Sequence, residues 1–111
     1  MPREALQTLT EPMYYVLLSL TNPMCGIEIM DSVRAISAGR VVVGPGTLYT
    51  MLAKFEENGL ICPVNIAAAA PRGTRRKTYV ISQKGVLFLR QEYDRLSRQV
   101  TDGKRIMEKL K

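Results

Sequence analysis

Histidine is absent from this chain of 111 residues, and with it go the commonest general base and the commonest transition-metal ligand. Cysteine occurs only at Cys25 and Cys62, far apart and without further ligand types beside them. Neither a zinc site nor a disulfide framework is suggested, and two buried, reduced thiols are the expectation. No run approaches the roughly 18 consecutive apolar residues of a membrane span, and residues 1–9 lack the charged-then-apolar pattern of a secretory leader. The chain is therefore expected in the cytoplasm with no membrane partner. Neither a nucleophile–base pair nor a metal cluster is visible, which argues against an enzyme and implies no cofactor.

Hydrophobic residues make up 46% of the sequence, enough for one compact domain, although a chain of this size is helped by a partner subunit. Charge is unevenly placed. Residues 1–71 hold four basic and six acidic side chains, a net −2, whereas residues 72–111 hold twelve and four, a net +8. A local positive field of this kind attracts phosphates and makes binding steeply salt-dependent. A merely solvated basic surface would have the same composition.

The first regular element is expected over residues 10–20. Thr10 or Glu11 can cap it, Pro12 suits its first turn, and Met13, Val16, Leu17 and Leu20 recur at helical spacing. Thr21-Asn22-Pro23 breaks it. A second helix follows over about 26–37, with Ile29, Met30, Val33 and Ile36 on one face and Gly39 as a left-handed stop. Arg40-Val41-Val42-Val43 is short and β-branched and reads as a small strand.

Gly44-Pro45-Gly46-Thr47-Leu48-Tyr49 is a helix-start signal, with Gly44 at the cap and Pro45 in the first helical position. At about 100° per residue, Leu48, Met51, Leu52 and Phe55 fall in one inward stripe. Thr47, Thr50, Ala53, Lys54 and Glu57 occupy the opposite and flanking face, where small side chains would let the helix sink into a groove. Gly46 carries no side chain, so the free N–H groups of the first turn can approach a phosphate that the helix dipole also favours. Tyr49 lies at the edge of the stripe, able to reach a phosphate or base. Half-buried packing at Tyr49 and a plain helix start would satisfy the same pattern.

Asn58-Gly59 ends this helix. Two strands are expected, over 60–64 and 77–81, with Tyr79 and Ile81 facing the core. Pro63 confines its strand to an edge. The connecting loop carries Arg72, Arg75, Arg76 and Lys77 around Gly73, suited to tracking a sugar-phosphate backbone where point charge counts more than geometry. The run Ala67-Ala68-Ala69-Ala70 favours helix, adds nothing to a hairpin tip and receives no function.

From Ser82, a plausible cap, one helix is expected to run to the C-terminus. Leu89, Tyr93, Leu96, Val100, Gly103, Met107 and Leu110 are separated alternately by four and three residues, the heptad seam by which helices pair along their length. Glu92, Asp94, Arg95, Arg98, Asp102, Lys104 and Arg105 are left to flank it. Leu89, Tyr93, Leu96, Val100, Met107 and Leu110 are accordingly the candidate dimer interface, and a fold-back of this helix onto its own domain is the competing arrangement.

The expected fold is mainly α with a two- to three-stranded β-wing: a winged helix-turn-helix over residues 1–81 and a long dimerisation helix over 82–111. The candidate DNA contacts are Pro45, Gly46, Thr47, Tyr49, Thr50 and Lys54 on the third helix, with Arg72, Arg75, Arg76 and Lys77 on the wing. A twofold dimer would match an inverted-repeat operator in double-stranded DNA with half-sites roughly 34 Å apart. A winged-helix module that makes protein–protein contacts without a specific operator is the alternative from another function class.

The stretch Glu11-Pro12-Met13-Tyr14-Tyr15-Val16-Leu17-Leu18-Ser19-Leu20, Gly26-Ile27-Glu28-Ile29, Gly44-Pro45-Gly46-Thr47-Leu48-Tyr49, Leu52, Glu57-Asn58-Gly59-Leu60-Ile61, Arg75-Arg76-Lys77-Thr78-Tyr79 and Ser82-Gln83-Lys84-Gly85 resembles the PadR family of transcriptional regulators. The resemblance covers nearly the whole chain and points to the small subfamily with a single C-terminal dimerisation helix. It implies a homodimeric winged-helix repressor whose operator affinity falls when a small aromatic or multidrug-like molecule binds. It also implies that Thr47, Tyr49 and Thr50 lie on the DNA-reading helix and Arg75, Arg76 and Lys77 on the wing. Members that sandwich flat drugs use a tryptophan on the C-terminal helix, whereas this chain has none and places Leu96 in the comparable region. The candidate effector pocket is therefore an apolar one walled by Leu89, Tyr93, Leu96 and residues of the first helix. Those side chains would serve equally as plain interface core.

Overall fold

Residues 6–64 and 77–110 are described by a computed structural model. They form four helices and three strands, with α1 at Glu11–Ser19, β1 at Met24–Cys25, α2 at Gly26–Ile36, α3 at Pro45–Glu57, β2 at Ile61–Val64, β3 at Thr78–Ile81 and α4 at Gln83–Glu108. This is a winged-helix head with a long C-terminal helix. Each helix start has a local cause. The Thr10 hydroxyl accepts from Met13 N at the head of α1, Gly44 precedes Pro45 at the head of α3, and the Ser82 hydroxyl accepts from Gly85 N at the head of α4.

The core lies where α1, α2 and α3 meet. Val16, Leu17, Leu20, Ile29, Val33, Leu48, Leu52 and Phe55 are all buried there, as the helical spacing predicts. Ser32 Oγ donates to Ser19 Oγ at 2.8 Å across the α1–α2 contact. Ile36, grouped by spacing with the buried face of α2, is half exposed because the last turn of that helix runs past the core.

The sheet is antiparallel with the order β1-β3-β2. Residues 40–43 do not form a strand. Val41 N–H instead donates to the Ser37 hydroxyl oxygen at 3.0 Å, and Val41 and Val43 pack inward while Val42 faces out. The third strand is supplied by Met24–Cys25, paired with Tyr79 and Thr78. β2 is an edge strand, which accommodates Pro63. Its alternation turns Ile61 inward and Cys62 outward, so Cys62 is exposed and only Cys25 is a buried thiol. The alanine run at 67–70 lies outside the described residues.

α4 rests its first turns on the head and then leaves it. Its 26 residues span about 39 Å at 1.5 Å per residue. Two of its residues differ from the sequence expectation. Leu89, placed in the seam by spacing, is only 8% exposed and belongs to the core of its own head. Glu92, placed on the solvated flank, is 3% exposed. Its carboxylate accepts from Leu9 N at 2.7 Å and from Arg95 Nε and NH2, both at 2.9 Å. Those bonds make a buried carboxylate tolerable.

The Arg95 hydrogen bond holds the Glu92 carboxyl below its ordinary value of 4.5, outweighing the opposing effect of burial, and the Leu9 N–H adds to the lowering. Because the folded value is depressed, the linked stability is complete above pH 4.5 and is lost as pH falls through the folded value. Glu92→Ala orphans the buried Leu9 N–H and is expected to cost about 1–3 kcal/mol at neutral pH. Thermal unfolding of the parent and of Glu92→Ala at pH 7 and pH 3 checks both statements, the gap between them narrowing in acid.

Candidate nucleic-acid interface

α3 leaves one face exposed because the sequence gives it nothing to bury there. Gly44 caps it without a side-chain bond, so the first-turn N–H groups remain open, and a Cβ on Gly46 would meet nothing within 4 Å. Pro45, Gly46, Thr47, Thr50, Ala53 and Lys54 are exposed, while Leu48, Leu52 and Phe55 anchor the opposite face. An amphipathic helix held by one stripe, with small side chains on the other, can enter a major groove with little steric obstruction.

The hydroxyls on this face are oriented. Thr50 Oγ1 donates to Gly46 O at 3.1 Å, which leaves its oxygen lone pairs free to accept. Tyr49 is 55% exposed, yet its hydroxyl leans over the start of α2, where a Cβ on Gly26 would come within 2.9 Å of it. Gly26 therefore makes room for the phenol, and Tyr49 braces α3 against α2 while keeping one ring face in solvent.

Two depressions flank the ridge formed by Thr50 and Lys54. One, of about 250 Å³, is lined by Thr10, Met13, Thr47, Thr50, Met51 and Lys54. The other, of about 490 Å³, is lined by Tyr49, Thr50, Ala53, Lys54 and Glu57. The first brings the N-terminal turn of α1 onto the same surface as α3, a contribution that helical spacing within α3 cannot reveal. Lys77 is exposed at the root of the hairpin. Arg72, Arg75 and Arg76, the other expected wing cations, lie outside the described residues.

A separate groove of about 440 Å³ runs between α1 and α4, lined by Tyr14, Tyr93, Leu96, Ser97, Val100 and Thr101. It brings Tyr93 and Leu96 beside Tyr14 of the first helix, and Leu89 does not line it. Tyr14 stands edge-on to Tyr15, with ring centroids 5.8 Å apart. Its phenol is held above the ordinary value of 10.0, first by burial and then by the neighbouring Tyr93, Tyr15 and Glu92, so it stays protonated at neutral pH. Val86, which the heptad spacing from Leu89 does not include, extends the outer stripe of α4. It precedes Tyr93 by seven residues, and Val86, Tyr93, Val100 and Met107 are all exposed.

Among the described residues no helix is long and apolar enough to cross a membrane. No curated protein matches the chain. Solved structures with the same fold include a transcriptional regulator of Clostridium thermocellum, 21% identical, with a TM-score of 0.69 over 86% of this chain and 90% of that one. A PadR-like transcription factor of Bacteroides fragilis is 23% identical, with a TM-score of 0.65 over 86% and 87%. A PadR-family regulator of Eggerthella lenta is 21% identical, with a TM-score of 0.67 over 85% and 75%. The model of the transcriptional regulator PadR-like family matches residues 16–91, a span that runs from the core of α1 through the α3 face to the buried turns of α4. The chain belongs to the PadR-like family of transcriptional regulators and is a DNA-binding regulator, not an enzyme.

Proposed function

We propose that this protein is a homodimeric repressor that reads an inverted-repeat operator with α3 and is released from it by a small aromatic or drug-like effector. The observation that carries the reading is the division of labour in α4. Its first turns bury Gly85, Leu89 and Glu92 against the head, while Val86, Tyr93, Val100 and Met107 form an exposed apolar stripe at seven-residue spacing. A stripe of that period is the seam of a two-helix pair, and a pair built on α4 would present two copies of α3 to one side of a duplex.

Sequence choice is assigned to Thr47, Tyr49, Thr50 and Lys54, and backbone neutralisation to Lys77 together with Arg72, Arg75 and Arg76. The first-turn N–H groups beside Pro45 and Gly46 take a phosphate. An effector in the groove beside Tyr93 and Leu96 lies where the two α4 helices would meet. It would lower DNA affinity only by as much as it favours the released arrangement over the bound one.

Band-shift titrations against the chain's own upstream region, with genomic competitor, test the DNA reading. Thr50→Ala is expected to weaken binding by about 1 kcal/mol, roughly fivefold, and to relax selectivity at one base position in each half-site. Lys77→Ala is expected to weaken all sequences alike and lower the salt slope by about 1. Loss of the shift under competitor for the unaltered protein would instead identify a module for protein contacts.

A further inference from the structure

Residues 6–9 are bonded to two helices with different tasks. At one end, Leu9 N–H donates to Glu92 Oε1 of α4 at 2.7 Å. At the other, Leu6 N–H donates to Asn58 Oδ1 at 3.2 Å. Asn58 is the C-cap of α3, and its own Nδ2 donates to Lys54 O at 2.8 Å. The last turn of α3 thus orients the amide whose oxygen receives Leu6. Glu92 is fixed just as firmly, held by Arg95 through two bonds and buried beneath the chain. Leu9 is buried and Leu6 packs against the core cluster, so apolar contact reinforces both anchors.

The two anchoring N–H groups are three residue steps apart, with Gln7 and Thr8 between them, and can therefore be drawn apart by no more than roughly 10 Å. A segment so short, bonded at both ends, cannot absorb a shift of one helix by uncoiling. It passes the shift on. We propose that residues 6–9 form a strap, with Asn58 and Glu92 as its positioning residues, that ties the orientation of the reading helix α3 to that of α4. In the dimer proposed above, on which this last step rests, the angle at which the α4 helices cross then sets the separation of the two α3 helices through the strap.

Amide hydrogen exchange on the full-length, DNA-free protein tests the coupling. Glu92→Gln weakens the α4 anchor. It is expected to speed exchange at Leu9 and also at Leu6, Asn58 and Gly59, by roughly threefold or more, while Val33 and Leu52 in the core stay unchanged. Asn58→Ala should do the reverse and loosen Leu9, because coupling between two sites is reciprocal. A Glu92→Gln effect confined to Leu9, or one spread evenly over the core amides, overturns the strap.

Operators whose half-site separation is varied one base pair at a time test the geometric consequence. The parent protein should prefer one spacing, and Glu92→Gln and Asn58→Ala should discriminate less. An unchanged preference in both weakened variants overturns the link to half-site separation. Should the parent bind no fragment selectively, the operator reading fails and the exchange results still decide the strap.

Discussion

Gly85→Val is expected to cost about 3 kcal/mol or more, the upper end of what overpacking does, and to lower the thermal midpoint by roughly 12 °C at equal protein concentration. Gly85 sits in the first turn of α4 where that helix meets the strand-loop backbone. A Cβ there would overlap the carbonyl oxygen of Leu60 and come within 2.6 Å of Ile81 Cγ1. The Leu60 carbonyl cannot retreat, because it accepts from Ser82 N at 2.9 Å, and the Ser82 hydroxyl donates to Gly59 O at 2.6 Å. The obstruction is backbone rather than the far end of a flexible side chain. Relief would require α4 to lift away, uncovering Leu89. Gly46→Ala is the control, since a Cβ at that helical position meets nothing within 4 Å, and it is expected to be neutral or to stabilise by about 0.4–1 kcal/mol. Equal midpoints for Gly85→Val and the parent in thermal unfolding would refute the close approach.

The sequence announces those features whose cause is local. Pro45 after Gly44 and the hydroxyl of Ser82 three residues before Gly85 mark helix starts because capping is settled within one turn. The exposure of Thr47, Thr50 and Lys54 follows from the 3.6-residue period once Leu48, Leu52 and Phe55 face the core. Features settled by distant partners are silent. Met24–Cys25 becomes a strand only because Tyr79 and Thr78 arrive beside it, whereas the β-branched residues at 41–43 find no such partner and stay irregular. Glu92 has the composition of a solvated helix face and is buried because Leu9 and Arg95 supply its donors. Heptad spacing likewise cannot say which rungs the molecule covers itself: Leu89 is buried in the head, whereas Val86 is exposed. The share of Thr10 and Met13 in the surface beside α3 comes from the packing of α1 and leaves no mark on the periodicity of α3.

In the dimer proposed above, Val100→Glu is expected to leave a folded monomer and to lower operator affinity by roughly a hundredfold or more, the loss that follows when two linked half-site contacts become one. Val100 is 70% exposed, and Tyr93, Met107 and Leu110 are exposed along the same helix. Burying an apolar side chain of this size yields about 1.5–3 kcal/mol, so a few of them on each of two helices supply on the order of 10 kcal/mol. That gross gain is comparable with the estimated 4–15 kcal/mol lost in association, leaving a modest surplus that a single central charge can reverse. Glutamate at position 100 puts a carboxylate into each half of the seam, where desolvation and mutual repulsion oppose pairing. The head contributes little to the far turns of α4, so the freed monomer should also lose helical signal there, as unsupported helices do. Arg98→Gln, on the side of α4 away from the stripe, is expected to sediment as a dimer. Sedimentation of Val100→Glu as an undiminished dimer would place the interface elsewhere. A monomeric parent at micromolar concentration would remove the need for an inverted repeat.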